Sequence, residues 1–298
     1  MLLNRCLLSP SARLKADRWT LRIALVAFIT HLGLIGIVDL GIVQLNQQDP
    51  LLTDPIAAIY TPFSFILVYE VYLLVFYLPR SITTYIGKQY EIITLIVIRR
   101  IFKDLANIEL SSNWFENKDD LIFTADIVTS IALYFLIYVF YRLKPERAGL
   151  DSPPPKDDAM RRFIRFKESM ATLLVPVVII LAIYSLLAWS ISLISTDSLN
   201  STDPGNEFKF KNINNIFFDS FFTILIIVDV LLLLVSFFHT DEFHKVIRNS
   251  GFIISTILIR LSFSVVGPVS SALIVSAVVF GIGVLFIHNC FEASHTEV

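Results

Sequence analysis

The chain is short of charge. Only 17% of its 298 residues are Asp, Glu, Lys or Arg, against 55% hydrophobic residues and a mean hydropathy of +0.70. Soluble domains carry roughly a quarter charged residues, so this balance excludes an ordinary soluble fold and leaves lipid as the solvent. A basic excess is missing as well: 24 Lys and Arg stand against 26 Asp and Glu, and no global positive field directs the chain to nucleic acid. Cysteine is nearly absent. Cys6 and Cys290 lie near opposite ends with no paired spacing, which excludes a disulfide framework or a CxxC metal site. The ten glycines form no phosphate-binding loop, and neither GxSxG nor HExxH occurs. No apolar run holds two histidines at ligand spacing. A surface site at His239 and His244, near Asp241 and Glu242, is the weaker reading beside ordinary exposed histidines. No catalytic residue, cofactor or metal is therefore expected, and the chain is not read as an enzyme.

What is present is a succession of long apolar runs. They place membrane spans at about 21–44, 57–79, 86–105, 121–142, 170–194, 215–238, 249–266 and 269–290. Each is near the roughly 20 residues that cross a ~30 Å hydrocarbon layer. The fold class this implies is all-α, a polytopic bundle of eight spans. The first run is longer than a signal-peptide core and no small-residue cleavage site follows it, so it is expected to remain as an anchor. The third is the most polar, with Lys88 and Glu91 before its apolar stretch and Arg99, Arg100 and Lys103 after it.

Loop charge decides whether that third segment crosses, because Lys and Arg concentrate in cytoplasmic connections. The arm 1–20 carries Arg5, Arg13, Lys15 and Arg18, and the linker 143–169 carries Lys144, Arg147, Lys156, Arg161, Arg162, Arg165 and Lys167. Both lie inside only if an even number of spans separates them, so the third must cross. The organisation expected is a basic arm at 1–20, a four-helix unit at 21–142, a linker at 143–169, a second unit at 170–290 and a tail at 291–298. Both termini are cytoplasmic, in a plasma or inner membrane. Pro153, Pro154 and Pro155 make the linker an extended connector. Arg161, Arg162, Arg165 and Lys167 are either lipid-headgroup contacts, worth about 1 kcal/mol each near an anionic surface, or an ordinary positive-inside flank. In the outer connection, Trp114 and Phe115 suit an interfacial anchor.

The two units look like copies. Residues 92–99 read Ile-Ile-Thr-Leu-Ile-Val-Ile-Arg and residues 253–260 read Ile-Ile-Ser-Thr-Ile-Leu-Ile-Arg, five identities in eight positions. Upstream, Val68, Tyr69, Glu70 and Val71 match Ile227, Val228, Asp229 and Val230, so acid falls on acid. Glu70 precedes Arg99 by 29 residues and Asp229 precedes Arg260 by 31. With an even number of spans in each copy, the repeat is parallel, about an axis along the membrane normal. Gly33, Gly36, Gly281 and Gly283 permit close helix approach. Pro62, Pro176 and Pro268 read as first-turn prolines.

Depth gives the charges their meaning. At 1.5 Å per residue, Glu70 lies about 13 Å above the cytoplasmic end of its span and Arg99 about 16 Å, both near the bilayer middle. Ionised groups there cost on the order of 3 kcal/mol unless they pair. Glu70 with Arg99 and Asp229 with Arg260 are expected as intramembrane ion pairs. His31, Asp39, Glu91, Arg100, Lys103 and Asp126 make the first unit the more polar, and a hydrated pathway is expected among them. The fourth span has no arginine from Ile122 to Tyr141, which excludes a voltage sensor with arginine at every third position of that helix. The function expected is an ion channel or transport component, as a homo-oligomer or a subunit of a membrane complex. The alternative is a non-conducting subunit or scaffold whose pairs are structural and whose linker docks a cytoplasmic partner or anionic lipid. Dry packing around the charges, with no cavity, would count against conduction.

Overall fold

A computed structural model describes residues 8–41, 55–105, 118–144, 158–195, 209–237, 243–265 and 267–296. Cys6, Trp114, Phe115, Pro153 to Pro155, His239, Asp241, Glu242 and the side chains of Lys103 and Arg161 lie outside that description. The described residues form eight α-helices and one 3-10 turn, with no strands among them. In chain order these are α1 (Pro10–Asp39), the 3-10 turn Pro55–Ile59, α2 (Tyr60–Tyr77), α3 (Ile82–Leu105) and α4 (Lys118–Leu143). They continue as α5 (Asp158–Ser195), α6 (Lys209–Phe237), α7 (Phe243–Ser262) and α8 (Pro268–Thr296).

Every apolar run of the sequence thus sits on a helix, and two helices start well before their runs. In α1, Ser9 caps the first turn by accepting the Ala12 N–H at 3.1 Å, and Pro10 supplies the fixed φ of a first helical residue. The basic arm is therefore helical from residue 10. In α5 the helix begins at Asp158, inside the segment expected to be an extended linker. Pro176 consequently falls mid-helix and is not a first-turn proline. Pro62 and Pro268 do lie in first turns, the latter directly after Gly267, whose φ of 90° suits glycine.

Four helical stretches are long and apolar enough to cross a membrane: Pro10–Asp39, Asp120–Leu143, Arg162–Tyr184 and Pro268–Ser294. Thr61–Tyr77 and Phe221–Val235 are shorter apolar stretches. Large apolar side chains also cover the outside of the bundle, among them Leu25, Ile29, Ile131, Phe135, Ile180 and Ile287. Water does not tolerate so continuous an apolar coat on a folded monomer, and lipid does. These are the properties of a membrane protein.

Helices α2, α3, α4, α8, α7, α6 and α5 form a closed ring of neighbours, α3 meets α7 across it, and α1 packs on α2 from outside. Two contacts join α4 to α8 and α7 to α8 at one end: the Asn289 amide donates to the Leu143 carbonyl at 2.6 Å, and Arg248 meets His288 at 2.8 Å. At the same end Arg13 donates to the Tyr77 hydroxyl at 2.7 Å, and Lys167 donates to the Arg80 carbonyl at 3.3 Å. Helices α1, α3, α5 and α7 start there, and α2, α4 and α8 finish there. We call this the basic end.

The core between the two halves is built from Tyr90, Phe140, Phe252, Ile93 and Ile274, all at most 1% exposed. Close approach depends on glycine at two points. A Cβ on Gly281 would lie 1.8 Å from the Tyr90 hydroxyl, and one on Gly251 would lie 2.7 Å from Val284. Gly33, Gly36 and Gly283 have nothing within 4 Å of a Cβ, so they are not the contact points their spacing implied.

Candidate functional site

Helix α3 carries three charged clusters along its length, which between them engage α2, α4 and α8. Nearest the basic end, Lys88 and Glu91 pair one turn apart at 2.5 Å, and the Tyr141 hydroxyl of α4 donates to the other Glu91 oxygen at 2.5 Å. Three and four residues are neighbours on a helix face, which explains the Lys88–Glu91 contact. About three-quarters of the way along, Arg99 reaches α2: its Nη2 binds Glu70 Oε2, and its Nη1 donates to the Phe63 carbonyl at 3.4 Å. Glu70 and Arg99 are both largely buried, with side chains 5% and 12% exposed. One residue on, Arg100 points to the other side of α3. Its Nε lies 3.1 Å from Asp126 of α4, and its guanidinium donates to Ser270 of α8 at 3.1 Å. Ser271 completes this cluster by donating to Asp126 at 2.7 Å.

The adjacent positions of Arg99 and Arg100 are about 100° apart around α3, so one arginine serves the α2 side and the next the α4–α8 side. Charge is balanced within each cluster. A partly open cavity of about 160 Å³ lies beside the middle one, its surface mostly apolar from Leu21, Ile66, Leu73 and Leu95, with Asp17, Thr20, Tyr69 and Glu70 also lining it. The Tyr69 hydroxyl lies beside both Asp17 and Arg13, so polar groups continue from the cavity to the basic end. A second, apolar cavity of about 310 Å³ continues the groove along Leu21, Ala24 and Phe28 of α1.

The second unit does not repeat this arrangement. Asp229 is buried but does not meet Arg260: it accepts from the Gln89 amide of α3 at 3.3 Å, beside the Tyr85 hydroxyl. Gln89 in turn accepts from Thr256 of α7 at 2.8 Å. Arg260 donates to Thr223 at 2.9 Å, six residues from Asp229 on α6. Arg99 and Arg260 each stand 17 residues after the start of their helices, so register along the helix does not account for the different partners. Arg260→Gln should accordingly cost less than Arg99→Gln in thermal unfolding in detergent, because it strands no buried carboxylate. A loss equal to that of Arg99→Gln would show instead that Arg260 serves a buried acid.

The remaining residues of the expected pathway do not line one route. His31 Nδ1 meets the Thr61 hydroxyl at 2.5 Å between α1 and α2. Asp39 ends α1, exposed. Glu91 sits with Lys88, and Asp126 with Arg100, on opposite halves of α3. At the headgroup segment, Arg162 and Arg165 are exposed one turn apart, while Lys167 turns inward to the Arg80 carbonyl.

Two clusters escaped the sequence reading. One is the clasp between α3 and α7, where the Tyr90 hydroxyl donates to Ser255 at 2.8 Å and Ser255 donates to the Ala277 carbonyl at 2.7 Å. The other joins His244 of α7 to His288 and Glu292 of α8, with ligand atoms within 4.8 Å of one another. Tyr90 and Ser255 are 165 residues apart and His244 and His288 are 44 apart, so nothing local in the sequence links the helices that each cluster joins. No protein-family model matches this chain, and neither a curated protein nor a solved structure does so.

Proposed function

We propose that the chain is an eight-pass component of a membrane transport or channel system, and that its first four-helix unit holds the route. The observation that carries this reading is the cavity of about 160 Å³ lined in part by Glu70, the acid of a buried ion pair that the helical rise assigns to the bilayer middle. Conduction needs a polar group that a moving ion or proton can reach at that depth, and Glu70 is so placed. The route runs from the basic end past Asp17 and Tyr69 to Glu70, where Arg99 supplies the fixed countercharge.

Several features support the passes and their direction. Helices α3 and α7, too polar to be lipid-facing alone, stand against one another and are flanked by more apolar helices. The alternation of helix ends at the basic end suits four crossings per half. Contacts of α4 with α8 and of α3 with α7 pair each helix with its own counterpart, as a parallel tandem repeat about a central axis requires. Arg13, Arg80, Lys88, Lys144, Lys167 and Arg248 gather at one end, which the positive-inside rule assigns to the cytoplasm, with both termini. A plasma or inner membrane fits that orientation, and the apolar coat leaves α1 free to meet lipid or a second copy. Nothing in the clusters is arranged as a nucleophile and base, and we read the protein as no enzyme.

A second reading, a non-conducting subunit of a larger complex, is favoured by the clasp of Tyr90, Ser255, Gln89 and Thr256, which fills the middle of the bundle. Purified protein in liposomes separates the two. Under a proton or monovalent-cation gradient, flux above protein-free vesicles is expected, and Asp17→Asn, outside the ion pair, should reduce it. Flux no greater than that of empty vesicles transfers the assignment to the second reading.

A further inference from the structure

We propose that His244, His288 and Glu292 form a binding site for a transition-metal cation of the zinc type at the basic end, with Arg248 as the resident cation that the metal displaces. The site is independent of the Glu70 route. His288 and Glu292 lie four residues apart on α8 and so share a face, and His244 comes from the first turn of α7. The two imidazoles stack at 5.2 Å with 21° between their planes. Glu292 Oε1 lies 3.4 Å from His288 Nε2. All three ligand atoms fall within 4.8 Å of one another. Modest side-chain rotations bring such a set to the roughly 2 Å ligand distances of zinc.

Chemistry selects the class of ion. Two imidazoles and one carboxylate suit Zn²⁺, and also Cu²⁺ or Ni²⁺, whereas Mg²⁺ and Ca²⁺ take oxygen ligands. Arg248 fixes the tautomer. An arginine offers donors only, and its Nη1 lies 2.8 Å from His288 Nε2, so that nitrogen must present its lone pair. Nε2 is therefore already the basic, ligand-ready nitrogen, aimed at the space between Arg248 and Glu292. A positive charge already occupies that space, which shows that the donors favour a cation there. Arg248 has a second anchorage, donating to Asn249 Oδ1 from Nε at 3.3 Å and from Nη2 at 3.2 Å, so it can leave His288 without losing every partner. Glu292 is 47% exposed and His244 half-buried, which gives an ion access from the aqueous side. The bound metal would tie the start of α7 to the end of α8.

The test uses the full-length chain in detergent or nanodiscs, titrated with Zn²⁺ by calorimetry and with Co²⁺ by its visible ligand-field absorption. One metal per chain is expected, with a zinc-dependent rise in unfolding temperature because the ion binds only the folded state. His244→Ala and Glu292→Gln, both near the surface, should each weaken binding about tenfold or more, with loss of the cobalt band. Arg248→Gln should tighten it several-fold by removing the competing guanidinium. His288→Ala carries less weight, since a cavity at a buried position can unfold the end of the bundle. Absence of binding at millimolar zinc, equal binding by the wild type and His244→Ala, or weaker binding by Arg248→Gln would each overturn the proposal.

Discussion

Glu70→Gln is expected to lower stability by about 3 to 5 kcal/mol, the usual loss when one partner of a buried ion pair is removed. The reason is what the substitution leaves behind. Arg99 keeps its charge, is 12% exposed, and retains only the Phe63 and Leu95 carbonyls, each at 3.4 Å. Two carbonyl dipoles do not replace a carboxylate in a medium that solvates ions poorly. Arg99→Gln strands Glu70 in the same way. The double variant strands neither, so its loss should fall well short of the two single losses combined, and the cycle measures the coupling. Thermal unfolding in detergent, read beside folded yield, checks this. Additive losses would mean that Glu70 and Arg99 act independently, and the ion pair would then carry no weight in the bundle.

The same pair shows how much the sequence discloses. Glu70 and Arg99 were legible because helical rise converts residue number into depth, and lipid punishes an unpaired charge at that depth. Every apolar run likewise marks a helix, since only an internally hydrogen-bonded backbone satisfies its polar groups in lipid. The failures have equally physical causes. Residues 158–169 are helical although the proline triplet before them drew the linker reading onward: Met160, Phe163 and Ile164 stand at i, i+3 and i+4, and Phe166 packs on the core. Arg260 matched Arg99 in motif but not in partner, because alignment preserves order and not the face that a helix turns to its neighbour. Gln89, Thr256 and the partnership of His244 with His288 were invisible for a third reason. Which polar faces meet is settled by the order in which eight helices pack, and no window of sequence contains that order.

Charge placement on α3 also ties fold to function. Its clusters engage α4 near the basic end and, at Arg99 and Arg100 further along, α2 on one side and α4 with α8 on the other, so α3 cannot shift along its axis without breaking all of them together. Neutralised in pairs, this helix can lie inside a bilayer that would reject it alone. If the protein transports as proposed, the accompanying movement is of α3 with its partners, or of α1, whose only strongly buried side chains are Ala24, Ile35 and Val38.

Gly281→Val should be the most damaging apolar substitution in α8. A Cβ at this position would lie 1.8 Å from the Tyr90 hydroxyl, 3.0 Å from its ring carbon Cζ and 3.3 Å from Ser255 Oγ. Tyr90 cannot yield, since it is 1% exposed, edge-on to Phe140 at 5.2 Å, and hydrogen-bonded to Ser255. Overpacking of a tight core typically costs about 1 to 3 kcal/mol. Losing a buried hydrogen bond with one partner left unsatisfied adds about 1 to 3 kcal/mol. A loss above about 3 kcal/mol is therefore expected, enough to separate α3 from α7 and α8 at the middle of the bundle. Gly283→Ala, two residues on, has open space around its Cβ and should be neutral or stabilising by up to about 1 kcal/mol through helix propensity. Tyr90→Phe removes the very atom that blocks Gly281, so Gly281→Ala should cost less in the Tyr90→Phe background than in the wild type. Thermal unfolding of the four variants measures that difference. An equal cost in both backgrounds would show that α8 does not approach α3 at this glycine.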